Sequence, residues 1–150
     1  MNVEIRDYLA ADKKPLFKLF CDLIEFNAEK SGDKDYWLTS GWNKERSGDF
    51  ERALSIKNRL LLVLTVDEKI EGYLLAFYIP EENICILEEL FITSEFRKNG
   101  FGTKLVNKFL EWAKGMNVPI KVEVYPWNEY AKKWYRQFGF KLESFSYIIE

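Results

Sequence analysis

The sequence predicts a mixed α/β fold in which a central, mostly antiparallel twisted sheet is flanked by helices. Three observations carry this reading. Three β-rich runs follow one another at 59–66, 70–79 and 83–92, separated only by Asp67-Glu68-Lys69 and Pro80-Glu81-Glu82, the pattern of an antiparallel meander. Apolar residues at helical spacing lie on both sides of that meander. Shorter strand-like runs at 3–8, 120–125 and 141–149 supply further strands. The 150 residues suit one domain, 1–150, with a substantial core and without a linker, repeat or low-complexity segment.

After the first strand, Leu16, Leu19, Phe20, Leu23, Ile24 and Phe26 recur at helical spacing behind Asp12 and Pro15, which predicts a helix over 13–29. The stretch from Ser31 to Ser47 reads as irregular, and a second helix is expected over 44–56. Beyond the meander, Phe101, Leu105, Phe109, Ala113 and Met116 step by fours and threes, with Val106, Leu110 and Trp112 beside them. That spacing predicts a strongly amphipathic helix ending near Gly115. The strand at 120–125 is closed by Pro126, Asn128 caps a helix running to about Phe138, Gly139 ends it, and 141–149 alternates as a final strand.

Composition narrows the chemistry. With 22 Lys+Arg against 24 Asp+Glu the formal charge is −2, which argues against a nucleic-acid-binding surface. The first fifteen residues show no cleavable apolar segment and the longest apolar runs are too short to span a bilayer, so a soluble cytoplasmic protein without a membrane partner is expected. Cys21 and Cys85 sit in apolar surroundings without metal-like spacing and read as buried thiols, and no metal site is expected. Histidine is absent, which excludes Ser-His-Asp and Cys-His nucleophile pairs and leaves Glu, Asp, Lys and Tyr as proton carriers.

The segment Arg97-Lys98-Asn99-Gly100-Phe101-Gly102 places two cations and two glycines where a helix begins. Cations there oppose the helix dipole by roughly 0.3–1 kcal/mol, and a glycine inside the first turn costs up to about 1 kcal/mol relative to alanine. A phosphate offsets both: glycines admit backbone amides to it, the dipole favours it and Arg97 grips it in a fork. A Walker A loop is excluded by spacing. A dinucleotide fingerprint fails because Leu105 stands where its third glycine belongs and an antiparallel meander precedes the turn. What remains is a cofactor whose pyrophosphate sits on the helix start while the rest lies extended along the preceding strand.

Leu90-Phe91-Ile92 leading to Arg97-x-x-Gly100-x-Gly102 resembles the acyl-CoA-binding motif of the GCN5-related N-acetyltransferases (GNAT). A second motif, Asn128-x-x-Ala131-x-x-x-Tyr135-x-x-x-Gly139-Phe140, is similar to that family's closing segment. The resemblance spans about 88–140, and it implies the family's fold and an acetyl-CoA-dependent N-acetyltransferase acting on a primary amine by direct attack in a ternary complex. CoA would contact Leu90, Phe91 and Ile92 on the strand and Arg97, Lys98, Asn99, Gly100, Phe101, Gly102 and Thr103 at the helix start. Asn128 and Lys133 would complete that set. Lys98-Asn99 departs from the family pattern, which often has glycine or a second basic residue there.

Acetyl transfer needs a positioned thioester, a neutral amine, polarisation of the carbonyl and a proton for the departing thiolate. The resemblance implies that pantetheine runs along the edge of the strand from Glu88 to Ile92, where it splays from the strand at 120–125, and that Tyr135 protonates the thiolate. The alternative for Tyr135 is packing with Trp134 and Phe138. Glu88 and Glu89 are candidates to accept the amine's proton, and strand alternation is expected to send one to each sheet face. Tyr36, Trp37, Trp42, Trp127 and Trp134 are read as core in preference to acceptor-site walls. A local likeness of Leu87-Glu88-Glu89-Leu90-Phe91-Ile92 and Trp127-Asn128-Glu129 to diamine and polyamine N-acetyltransferases suggests a small polyamine-like or amino-acid amine. Asp33, Asp35, Glu45, Asp49 and Glu51 would suit such a polycation. A protein N-terminus, an aminoglycoside and a non-catalytic CoA-sensing module remain open, and an exposed C-terminal edge strand would permit a homodimer.

Overall fold

The computed structural model describes residues 1–144, 147 and 149. Strand β1 (Val3–Asp7) leads through a single 3-10 turn into helix α1 (Lys13–Ser31), the one-turn helix α2 (Lys34–Trp37) and helix α3 (Trp42–Ser55). Strands β2 (Arg59–Val66), β3 (Lys69–Ile79) and β4 (Ile84–Ile92) follow, then helix α4 (Phe101–Lys114), strand β5 (Ile120–Val122) and helix α5 (Glu129–Arg136). The sheet order is β1-β2-β3-β4-β5, antiparallel throughout except for the parallel pair β4 and β5, which α4 connects.

Alternation along the strands builds a separate core on each face. Leu62, Leu64, Leu74, Ala76, Cys85 and Leu87 pack against Phe101, Leu105, Val106, Phe109 and Ala113 of α4 and against Tyr135 of α5. The intervening residues Leu61, Val63, Tyr73 and Leu75, with Phe91, pack against Leu16, Leu19 and Phe20 of α1 and Phe50 and Ala53 of α3. One face of the sheet thus carries α4 and α5, and the other carries α1 and α3.

Two expectations change. Strand β5 stops at Val122, three residues short of the expected end. The final strand is not formed by 141–144, and Phe145, Ser146 and Ile148 of that predicted strand lie outside the described residues, as does the dimer edge that rested on it. The irregular stretch after α1 contains α2, whose cap is Asp33: its Oδ1 accepts from the Tyr36 amide at 3.2 Å. Among the described residues no helix is long and apolar enough to cross a membrane.

The entry to α1 is fixed by Asp12, whose carboxylate accepts two bonds from the Arg6 guanidinium, at 2.8 and 3.0 Å, and one from the Leu9 amide at 2.8 Å. The Arg6 bond, helped by the Leu9 amide, holds the Asp12 carboxyl below the ordinary aspartate range against the opposing effect of burial. Asp12→Ala is expected to lower stability by about 1–3 kcal/mol, as removing charge-assisted bonds does. In the parent this contribution is complete above pH about 4 and is lost as the pH falls through the lowered value. Denaturant unfolding at pH 7 and pH 3 checks both, because the gap between parent and variant should be smaller at the lower pH.

Candidate active site

Strand β4 is irregular at one point. Leu75 of β3 lies opposite Glu89 and Ala76 opposite Leu87, so Glu88 is an extra residue, a β-bulge. Its effect on the backbone follows from hydrogen-bond parity. Before the bulge the Cys85 amide donates to Pro119 O at 3.0 Å, so Cys85 and Leu87 face β5. After it the Thr93 amide donates to Glu71 O at 2.9 Å across to β3, which turns the amides of Leu90 and Ile92 to the other edge. That edge is free, because β5 pairs with β4 only from Cys85 to Leu87. The sheet therefore opens beyond Leu87 and exposes unpaired backbone donors, a place for an extended ligand to add as a strand.

The opening is a cleft of about 1370 Å³. This exceeds the roughly 300–1,000 Å³ of a single small-molecule site and leaves room for two reactants. Of the residues singled out from the sequence, Glu88, Glu89, Leu90, Phe91, Ile92, Arg97, Lys98, Gly100, Gly102, Thr103, Asn128 and Tyr135 line it. Asn99, Phe101 and Lys133 do not. Asn99 donates back to Arg97 O at 3.1 Å, Phe101 is buried in the α4 core, and Lys133 stands on the exposed side of α5 while Ala131, Trp134 and Tyr135 take the inner side.

Both glycines at the start of α4 have structural reasons to be there. Gly100 caps the helix at φ 80°, a left-handed conformation that suits glycine, and open space surrounds the position a Cβ would take. At Gly102 a Cβ would come within 3.2 Å of the Trp134 ring, so this glycine lets α5 approach α4. An anion is therefore not needed to account for Gly102, which corrects the sequence-based argument on that residue. The anion site itself has support elsewhere. Arg97 lies 4.6 Å over the Phe26 ring and donates Nε to Ile92 O at 2.6 Å, which leaves its two Nη groups without a partner among the described residues. Burial alone pushes its pKa down, so an anion in the cleft would offset a desolvation that no carboxylate here offsets.

On α5, Asn128 accepts from the Ala131 amide at 3.0 Å, the expected cap, with its Nδ2 left over. Tyr135 is 9 % exposed, and its ring meets Trp134 at 5.0 Å and Phe140 at 5.8 Å. Its hydroxyl makes no hydrogen bond among the described residues yet is not sealed from solvent, so it faces the cleft. Burial raises the phenol far above its ordinary pKa and keeps it protonated at any working pH. At the cleft wall that hydroxyl is free to donate to a bound ligand.

Both carboxylates of β4 line the cleft, which wraps the strand edge and takes in Leu90, Phe91 and Ile92 as well, and Glu89 reaches Arg46 and Tyr73 on the α1 and α3 side. The surroundings of the two carboxylates separate them. Glu89 accepts from Arg46 Nη1 at 2.8 Å, from Arg46 Nη2 at 2.7 Å and from the Tyr73 hydroxyl at 2.7 Å. It is bound into a largely buried pair with Arg46. Glu88 is an exposed residue and makes no hydrogen bond or ion pair among the described residues; partial loss of water at its carboxylate beside the cleft, then the charges of Glu89 and Glu123, push its pKa up against the lowering effect of Arg46.

The aromatic residues after the second core are also placed differently from expectation. Trp37 of α2 meets Tyr125 edge-on at 4.9 Å, and Tyr125 stacks on Trp127 at 6.0 Å. These three rings line the cleft, Tyr36 is 64 % exposed beside them, and only Trp134 packs against a core; Trp42 is half-buried. They sit there because α2 and the segment after β5 meet across the cleft mouth. Of the five acids assigned to the acceptor side, Asp49 alone lines the cleft, and it is paired with Arg52, while Glu51 is paired with Lys13. Glu123, which the sequence reading passed over, lines the cleft without an ion-pair partner among the described residues. Asn27 was likewise overlooked. It lies on the inner stripe of α1 with Phe20, Leu23 and Ile24, a polar residue at apolar helical spacing.

The profile described as the Acetyltransferase (GNAT) family matches residues 20–140. Among solved structures, the PaiA N-acetyltransferase from Thermoplasma acidophilum in complex with coenzyme A is similar with a TM-score of 0.76 at 20% identity, over 97% of this chain and 94% of that one. A ribosomal-protein-alanine N-acetyltransferase from Brucella melitensis biovar Abortus 2308 is similar with a TM-score of 0.72 at 18% identity, over 100% and 99%. The aminoglycoside N-acetyltransferase AAC(6')-Iy in complex with CoA is similar with a TM-score of 0.73 at 14% identity, over 99% and 94%. At these identities the likeness is one of fold. No curated protein matches the sequence significantly.

Proposed function

Because this chain belongs to the acetyltransferase (GNAT) family, we propose that it transfers an acetyl group from acetyl-CoA to a primary amine by direct attack within the cleft. The observation that carries the reading is the meeting, in one cleft, of a free strand edge, the Tyr135 phenol and the Glu88 carboxylate, neither of the last two having a hydrogen-bond partner among the described residues. The residues fit the cofactor: amides of Leu90 and Ile92 for the extended arm, Arg97, Lys98, Gly100 and Thr103 at the start of α4 for the phosphates, and Asn128 beside them. Bound acetyl-CoA supplies an activated acyl carbon and a thiolate leaving group.

The chain's own groups would then act in sequence. Glu88 takes the proton of the acceptor ammonium, directly or through a water, and its raised pKa narrows the gap from an ordinary carboxylate near 4.3 to an amine near 10.4. Of the Leu90 and Ile92 amides, which face the free edge, one would hold the arm and the other donate to the carbonyl oxygen as charge develops on it. As the carbon–sulfur bond breaks, the Tyr135 hydroxyl would give its proton to the departing sulfur, and the second proton lost by the nitrogen as the amide forms would restore the phenol directly or through water. Glu123 and the rings of Trp37, Tyr125 and Trp127 form the other side of the cleft mouth, where an amine with an additional positive charge would be favoured by carboxylate and ring faces together.

Measuring CoA release over a panel of diamines, amino acids, aminoglycosides and peptides tests this reading. Release with any amine, dependent on Tyr135, supports it. Tight CoA binding with no release over the panel would make the protein a CoA-sensing module instead. Binding itself should appear as a melting-temperature rise of roughly 5–10 °C at a hundredfold excess of CoA over Kd. Gly100→Val should abolish that rise, measured against the variant's own unliganded melting temperature, because its side chain enters the space beside the turn. A full rise in the variant would put the cofactor elsewhere.

A further inference from the structure

Helix α3 carries a charged residue on its apolar stripe, since Arg46 aligns with Phe50 and Ala53 at helical spacing and is only 6 % exposed. Every polar atom of its guanidinium is used. Nε donates to Phe20 O of α1 at 2.8 Å, Nη1 and Nη2 fork onto Glu89 of β4, and Nη2 lies 3.5 Å from the Tyr73 hydroxyl of β3. The plane rests on the Phe20 ring, 3.2 Å from its centroid. One side chain thereby ties α1, α3, β3 and β4 together at the residue that follows the bulge.

We propose that Arg46 is a positioning residue of the transfer step: by taking Glu89 into a buried fork it pins the bulge and leaves Glu88 as the free carboxylate of β4 in the cleft. This rests on the reading of Glu88 as the group that accepts the amine's proton. Without Arg46, two adjacent carboxylates would share the site and repel each other, Glu88 would hold its proton to higher pH, and Glu89 would be free to turn into the cleft. A fork serves this purpose better than a lysine, because two parallel bonds fix the carboxylate plane as well as its charge.

The groups facing Glu88 are Glu89 on its own strand, Arg46 from α3, Glu123 beyond β5, and the Tyr125 phenol in the segment leading to α5. Only the first two belong to the clamp. The test follows the Glu88 side-chain carboxyl by carbon NMR as the pH is varied, with its signal identified by loss in Glu88→Gln. Arg46→Gln should move its midpoint up by about one pH unit and Glu89→Gln should move it down, since opposite charges are removed from the same neighbourhood. The double variant, which removes both buried charges and retains amides that can still hydrogen-bond, should return the midpoint close to that of the parent.

A simple loss of packing would not produce shifts of opposite sign. If Arg46→Gln does not fold, Glu89→Gln against the double variant decides: coincident midpoints overturn the proposal, and a midpoint restored upward in the double variant supports it. Shifts in one direction for both single variants also overturn it. The readout needs no turnover, so failure of the acetyl-transfer reading would appear separately, as absence of CoA release by the parent protein.

Discussion

Tyr135→Phe is expected to bind CoA nearly as the parent does and to turn over about 10²–10⁴-fold more slowly, the scale on which a positioned proton donor acts. The substitution removes one hydroxyl and leaves the ring against Trp134 and Phe140, so the core it belongs to should be undisturbed. That hydroxyl has no partner among the described residues and faces the cleft, which makes its loss cheap for folding and costly only when a ligand needs the proton. A phenol held so far above its ordinary pKa is a weak acid. The sulfur it would protonate leaves in the same desolvated cleft, however, and burial makes a thiolate more basic for the same reason. A thiolate made more basic in this way would be a better acceptor for that proton. Steady-state kinetics at saturating acetyl-CoA, with a pre-steady-state check that chemistry limits turnover, measures the effect. Unchanged turnover under those conditions would return Tyr135 to a packing role.

What could be read from the sequence divides according to the kind of signal. The boundaries of β2 and the start of α4 follow directly from residue patterns, because each is a sustained period bounded by turn residues or glycine. Asn128 was legible as a cap for the same reason, and the structure adds the bond from the Ala131 amide. The bulge at Glu88 was not. An inserted residue leaves the β-rich composition unchanged and shows itself only in the pairing with β3, so strict alternation cannot be carried across Glu88.

Arg46 left a signal that could have been used, a charge on an apolar helical stripe, which implies a buried partner; the partner's identity depended on contacts 43 residues apart. Glu123 and the rings at the cleft mouth were hidden by tertiary context. Aromatic residues suit a core and a ligand site equally well on composition, and only the meeting of α2 with the segment after β5 decides between them. Lys133 stands apart from the lining residues. The motif carried it into the cofactor set, while the stripe through Ala131, Trp134 and Tyr135 turns it away from the cleft.

Glu88→Gln should lower kcat/KM by about 10²-fold or more near pH 7 and progressively less as the pH rises toward 9. The amide preserves shape and hydrogen bonding but removes the charge that attracts an ammonium and the basicity that takes its proton. At neutral pH almost all of an amine with a pKa near 10.4 is protonated, so the parent must remove that proton in the cleft, whereas alkaline solution supplies some neutral amine to the variant. Glu89→Gln should differ in kind. Weakening the partner of a buried arginine costs stability, up to about 3–5 kcal/mol where the pair is lost altogether, and alkaline pH should not restore its activity in the same manner. The pattern of rescue therefore identifies the base more securely than the size of the loss. If Glu88→Gln keeps parental kcat/KM across pH 6 to 9 while Glu89→Gln shows alkaline rescue, the roles are reversed and the Arg46 fork must open during turnover. If neither variant shows rescue, the strand carboxylates do not take the proton, and Glu123 is the next unpaired carboxylate in the cleft to be tested.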